Sequence, residues 1–421
     1  MPRRCDLFIV GCGPAACAAA FFAARRGLDA VQAGSNAHMA LASGLLDVLG
    51  NDPHGGQPVE QPWYALQALR QRCPEHPYAL VDSGQARQAV EEILAWLAEQ
   101  DLGYRHADTS NSSVLTPLGS LRRTWAVPDT FWPGVLALKQ RAPALLVDFS
   151  GLREYSARQI CSLAKAYWPG LRAQRLDFPA PLPRPLAPLG MARAMELAGT
   201  RTYLVRSVQG HLGNASCVGL PAILGTHRQS EIHADLEQAL GLPVFELPTL
   251  LPSAPGFRLQ QALSSRLERE GVTQRMHSRV LRVRQEGGYF LIGLGVKEVE
   301  EDIAARGLVL ATGRFAGGGL VAEHSGLVRE ALMDLYVLQP EKREQWHSPD
   351  FFDPAGHPLN RAGLVTDSLF RPVDAKGCLA HERLFAIGAI LAGQDWIREQ
   401  SGSGLAIAEA KVVVENFCAG K

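Results

Sequence analysis

The sequence predicts an α/β fold: a parallel nucleotide-binding sheet assembled from both ends of the chain and interrupted by a large α/β insertion. Three observations predict it. A short apolar strand runs straight into the glycine turn Gly11-Cys12-Gly13-Pro14-Ala15-Ala16. A second apolar strand, far downstream, ends in Ala311-Thr312-Gly313. The 421 residues exceed what one ordinary core needs, so an insertion or second domain is expected.

The N-terminal unit justifies itself residue by residue. Residues 6–10 (Asp-Leu-Phe-Ile-Val) form the apolar run of a buried parallel strand. Gly11 permits the turn, Gly13 lets backbone approach a phosphate, and Pro14 and Ala15 open a helix. Ala16 stands where a small residue allows close helix–strand packing. The helix runs alanine-rich to Arg26, Gly27 closes it, and Leu28-Asp29-Ala30-Val31 starts a second strand. This is the opening of a Rossmann-like unit, with the helix N-terminus facing an anionic group. The acid that usually binds an adenosine ribose after the second strand is missing, because that stretch reads Val31-Gln32-Ala33-Gly34-Ser35. The gap favours a mononucleotide, FMN, over FAD or NAD, with Gln32 or Ser35 as substitute anchors.

The middle of the chain has its own α/β rhythm. Ala144 to Phe149 reads as a strand followed by a helix-like run to Trp168, Cys217 to Pro221 and Pro243 to Leu247 bracket another helical stretch, and Phe257 to Glu270 reads as a returning amphipathic helix. The prolines between 179 and 188 read as a rigid loop. Domain boundaries are therefore expected at 1–70, 71–265 and 266–421, the first and last forming one nucleotide domain.

Two further segments return to the same site. Leu384 to Ile387 is a buried strand ended by Gly388. Ser401-Gly402-Ser403-Gly404 then leads into an apolar helix whose positive end points at whatever lies there. Thr312, Gly313, Gly388, Gly402, Ser403 and Gly404 thus join Gly11, Gly13, Pro14, Ala15 and Ala16 as cofactor-binding candidates.

Composition excludes several classes. Lys+Arg and Asp+Glu both number 42, so there is no basic surplus for nucleic acid. No apolar run reaches the ~18–20 residues of a membrane span, and the start lacks the pattern of a secretory leader. The expectation is a cytosolic protein. The eight cysteines show no zinc or iron–sulfur spacing, so no metal centre is expected. Cys12 and Cys17 read as small buried hydrophobes rather than a dithiol.

Longer strings then carry a resemblance across nearly the whole chain. They are Ser43-Gly44-Leu45-Leu46-Asp47, Thr116 to Arg122 with Thr124-Trp125, Leu247 to Pro252, Phe315 to Glu323, and Leu384 to Gly388. With them the sequence resembles the B-subunit family of bacterial anaerobic glycerol-3-phosphate dehydrogenases. The loop Gln400 to Gly404 has fewer glycines than that family leads one to expect. The resemblance implies an FAD/NAD(P)-binding flavoprotein fold carrying FMN, with FAD as second choice, and adds Ser43 and Gly44 to the cofactor site. It implies oxidation of sn-glycerol 3-phosphate to dihydroxyacetone phosphate, with electrons passed to the menaquinone pool in anaerobic glycerol catabolism. It also implies a flavin-carrying A subunit, an iron–sulfur C subunit held at the membrane, and peripheral attachment to the inner membrane through them.

For the chemistry, Arg122, Arg123, Arg258 and Arg314 are candidates to grip a substrate phosphate, since a guanidinium binds such oxygens bidentately. Arg314, next to the Ala-Thr-Gly strand end, is the foremost and is grouped with the catalytic residues. His324 is the candidate base, because an imidazole titrates near working pH. Two other readings stay open: a stand-alone flavin oxidase or NAD(P)-linked reductase, and a non-catalytic assembly subunit with a relic site.

Overall fold

The computed structural model describes residues 2–34 and 42–420. The chain divides into two compact units. The first holds residues 1–38, 47–93 and 263–421, and the second holds 39–46 and 94–262. The sequence reading places the first boundary at residue 70, whereas the helix Pro62–Arg72 and the short turn Pro77–Leu80 fall in the first unit.

Among the described residues, the first unit is built on a seven-stranded sheet. Its parallel part runs Thr273–Met276, Ala30–Gly34, Arg3–Val10, Glu301–Leu310 and Leu384–Ala386. The long strand Glu301–Leu310 divides its outer edge between two neighbours. Its first half pairs antiparallel with Tyr289–Gly295, and its last three residues pair parallel with Leu384–Ala386. Val10, Leu310 and Ala386 therefore end in one row, Val10 opposite Leu310 and Leu310 opposite Ala386. Every turn that follows these strands leaves from the same, carboxyl edge of the sheet, where open α/β sheets bind their ligands.

The helix after the first strand, Pro14–Arg25, is buried from Ala15 through Ala23. A helix buried all round must be thin, and its alanines make it so. It lies against the last helix, Gly402–Cys418, and Arg26 closes their far ends with an ion pair to Glu415 at 2.5 Å. Gly307 keeps the sheet smooth beneath that last helix: a Cβ there would lie 2.5 Å from the Phe417 ring.

The second unit carries its own parallel sheet, in the order Val244–Leu247, Cys217–Pro221, Ala144–Phe149, Leu171–Leu176. Its core includes Leu146, Phe149, Trp168 and Phe245. Gly219 makes room for them, since a Cβ there would sit 2.5 Å from Leu146.

Candidate cofactor site

The glycine turn is shaped by close approach on one side and open space on the other. Gly11 has φ +130°, and a Cβ on it would lie 2.3 Å from the Ala311 carbonyl oxygen. Only glycine lets the first turn touch the end of the returning strand. Gly13, by contrast, has ordinary backbone (φ −80°) and nothing within 4 Å of a built Cβ. It caps the helix Pro14–Arg25, where Pro14 has no N–H and the first bond back to Gly13 comes from Cys17. The amides of Ala15 and Ala16 thus stand ahead of the intrahelical ladder, beside open space and at the positive end of the dipole. That is the chemistry of a phosphate cradle.

The other segments close on this turn. Ala311 N–H donates to Val10 O at 2.9 Å, and Ile387 N–H to Leu310 O at 3.0 Å. Gly388 has φ +77°, and a Cβ there would come within 2.7 Å of the Ala15 methyl. Its N–H donates to Glu409 Oε2 at 2.5 Å, and its carbonyl accepts from Gln394 Nε2 at 3.0 Å. Arg314 ties the re-entry strand to the same loop, donating through Nη2 to Leu391 O at 2.9 Å and Gln394 O at 2.7 Å. Burial lowers the Arg314 pKa to about 10, against the pull of Asp395 and Glu399. Among the described residues, Thr312 Oγ1 and Arg314 Nε are buried without a hydrogen-bond partner, polar atoms at the strand end that a ligand could satisfy. Together with the open face at Gly13, they fit a flavin.

The last glycine-rich loop is partly spent on structure. Gly404 N–H donates to Asp47 O at 2.7 Å, and Ser403 Oγ accepts from Asp47 N–H at 2.8 Å. A Cβ at Gly404 would meet the Tyr78 hydroxyl and Val48, and one at Gly402 the Trp396 ring. These glycines pack the helix start against protein, and Gly402 and Ser403 are left with leading amides.

Sequence reasoning missed the buried acids behind this edge. Glu409 is fully buried, and that burial drives its pKa well above the carboxylate range, opposed by the Gly388 N–H. Its signal was a lone acid in the apolar run Leu405 to Ala410. Glu399 and His76 form a second buried pair, Nε2 to Oε2 at 3.1 Å. Nδ1 of His76 accepts from Tyr78 N–H at 3.1 Å, so the other ring nitrogen faces Glu399 as a donor. Ser401 Oγ donates to the same carboxylate at 3.2 Å, and Asp395 N–H to its other oxygen at 2.8 Å.

The remaining expected residues are divided between the two units. Gln32 is wholly buried and donates to Gly11 O at 3.1 Å, bracing the turn from behind instead of reaching a ribose. Ser35 lies outside the described residues. Ser43, Gly44, Arg122, Arg123 and Arg258 belong to the second unit. There, Gly44 (φ +79°) packs on Pro255, and its carbonyl accepts from the Tyr104 hydroxyl. Arg258 is 3% exposed and fully engaged: two bonds to Glu246 at 2.6 and 2.9 Å, and Nε to Gly225 O at 2.9 Å. Arg122 sits half-buried on the strand Leu121–Thr124. His324 is exposed beyond the strand Leu320–Ala322, and its partner is Arg343, which donates to its carbonyl at 2.8 Å.

Comparison with known proteins bears on the cofactor and the family. A family model described as an FAD binding domain matches residues 6–405. The B subunit of anaerobic glycerol-3-phosphate dehydrogenase from Yersinia pestis is 31% identical over 98% of this chain and 97% of its own. The protein of that name from Vibrio vulnificus is 28% identical over 97% and 95%. Among solved structures, a 3-ketosteroid Δ1-dehydrogenase from Sterolibacterium denitrificans aligns over 100% of both chains at 12% identity and a TM-score of 0.45, too faint a likeness to bear on function. The protein is a flavoprotein of dehydrogenase type, and FMN as first choice is not supported. The missing ribose acid removes one anchor, not the site, so its absence does not select a mononucleotide. With its glycine turn, its strand ends in one row and matches along almost its full length, the chain belongs to the FAD-binding-domain family and, within it, to the B-subunit family of anaerobic glycerol-3-phosphate dehydrogenases.

Proposed function

We propose that this chain is the flavin-bearing B subunit of a complex that oxidises sn-glycerol 3-phosphate to dihydroxyacetone phosphate and delivers the electrons to the respiratory quinone pool. The observation that carries this reading is the match to B-subunit relatives over 98% of the chain. We take the flavin to be FAD, following the family description. The flavin-carrying A and iron–sulfur C subunits are the proposed partners, with attachment to the inner membrane through them. Among the described residues, no helix is long and apolar enough to cross a membrane.

A bound flavin supplies the two-electron acceptance that removal of a hydride from the alcohol carbon requires. The residues of the chain do the holding. The amides of Ala15 and Ala16 and the space at Gly13 would hold the cofactor phosphate. Thr312 and Arg314 would offer polar atoms to the bound flavin, and Arg314 braces the loop that carries Gly388. The leading amides of Gly402 and Ser403 would offer positive charge to the negative charge of a reduced flavin.

Co-purification of the tagged chain with the products of neighbouring genes, followed by chromatography of the released flavin, tests this reading. The expected result is a complex containing FAD that turns over glycerol 3-phosphate with a quinone analogue. A chain that holds no flavin even after reconstitution overturns it. So does an assembled complex reduced rapidly by NADH and inert to glycerol 3-phosphate.

A further inference from the structure

Outside the cofactor site, the first unit gathers three metal-ligating side chains of different chemistry from two segments. His54 stands on the turn after Asp52, Cys73 ends the helix Pro62–Arg72, and Glu75 follows two residues on. Cys73 Sγ lies 3.2 Å from His54 Nδ1, and one ligand atom from each of the three falls within 4.8 Å of the others. Tetrahedral coordination with bonds of about 2.0–2.3 Å places ligand atoms roughly 3.3–3.8 Å apart. The site therefore needs only a small adjustment of the exposed Glu75 carboxylate.

The frame holding these ligands is already rigid. Asp52 Oδ1 accepts from His54 N–H at 3.0 Å, and Asp52 Oδ2 is paired with Arg72 at 2.7 Å, which joins the turn to the helix end beside Cys73. The Pro53 carbonyl accepts from two guanidinium groups, Arg361 at 2.8 Å and Arg398 at 2.6 Å. Behind Glu75, Gly393 (φ +83°) lets backbone approach, since a Cβ there would lie 2.3 Å from the Glu75 carbonyl. Preorganisation of this kind spares a metal the cost of ordering its ligands.

We propose that His54, Cys73 and Glu75 form a binding site for a zinc-class divalent cation, with a fourth position left to water. One thiolate, one imidazole and one carboxylate suit a borderline-soft ion such as Zn²⁺ better than Mg²⁺ or Ca²⁺, which take oxygen ligands. Their two negative charges match a dication. The ion would staple the turn at 52–57 to the end of the helix Pro62–Arg72.

The test uses the full chain with any affinity tag removed, dialysed against a chelator and titrated with Zn²⁺ alone against a chromogenic competitor. The wild type is expected to take up one equivalent and to melt at a higher temperature when loaded. Because even outer-shell substitutions cost roughly 10–100-fold in metal affinity, H54A, E75Q and C73S should each lose at least about tenfold. His54 and Glu75 are exposed, so their variants keep the test valid if C73S folds poorly; circular dichroism of the metal-free proteins checks this. Failure of the wild type to win zinc from the competitor overturns the proposal, as does equal uptake by H54A and C73S.

Discussion

Glu409 accepts the Gly388 N–H at 2.5 Å from inside the last helix, so a wholly buried carboxyl supports the turn that ends the last sheet strand. Burial raises its pKa, which fixes the sign of its effect on stability. The folded state keeps a proton that the unfolded chain releases near pH ~4.3. This group's contribution is therefore complete below that pH and declines as pH rises toward the folded value. An amide cannot ionise, so E409Q should flatten the fall in melting temperature of the wild type from mildly acidic to alkaline pH. Equal slopes in thermal melts across that range would refute the assignment.

Glu399 behaves in the opposite sense. Burial pushes its pKa up, but the hydrogen bond from His76, with those from the Asp395 amide and Ser401, outweighs it and holds the value below normal. Its stabilisation is present above pH ~4.3 and is lost as pH falls through the lowered folded value. E399Q should therefore show a shallower loss of stability on acidification than the wild type. Urea denaturation at pH 3 to 6 measures it.

The two glycines of the first turn should fail differently. Among the described residues a Cβ at Gly13 meets nothing within 4 Å beyond its own chain neighbours, so G13D should fold with near-normal melting. It should nevertheless lose flavin affinity by roughly a hundredfold or more, because opposing like charges costs several kcal/mol. At Gly11 a Cβ strikes the Ala311 carbonyl, and G11A should lower the melting temperature itself. Melting curves and flavin-to-protein ratios of both variants separate the two roles.

Arg258 should matter to folding alone. Removing it leaves Glu246 buried and deprived of its ion-pair partner, a loss of about 3–5 kcal/mol. R258M should show that loss in urea denaturation, with substrate KM in surviving protein unchanged. A large KM change with normal stability would instead restore Arg258 to the substrate site.

Thiol chemistry offers a further check. Burial pushes Cys12 up to about 12 and Cys17 to about 11, whereas Cys378 and Cys418 are exposed. Alkylation near neutral pH followed by peptide mapping should mark Cys378 and Cys418 first and leave Cys12 and Cys17 unmodified in the folded chain.

What could be read in advance was local. The first strand, its glycine turn and the helix start lie within twenty residues, and each residue type states its own requirement there. The strand at 144–149 was legible for the same reason, as an unbroken apolar run. Relationships across the chain were not. Nothing in the string says that Arg258 meets Glu246 or that Gln32 turns back to Gly11, because residue type gives charge and hydrogen-bonding capacity but not burial. His324 is near Gly319 in sequence, but the strand Leu320–Ala322 separates the two and leaves the histidine exposed. The absent acid after the second strand was read as selecting FMN, a weight that one missing contact does not bear.

Strand Arg3–Val10 lies between Ala30–Gly34, its near neighbour in sequence, and Glu301–Leu310, some three hundred residues later. On a ribosome the first strand is therefore made long before its second partner exists. Its apolar flank stays open to other chains, a hazard that grows with the wait. A cradle drawn from the turns after Val10, Leu310 and Ala386 cannot form before the last of these strands is made, so a product cut short of it would have no cradle to fill.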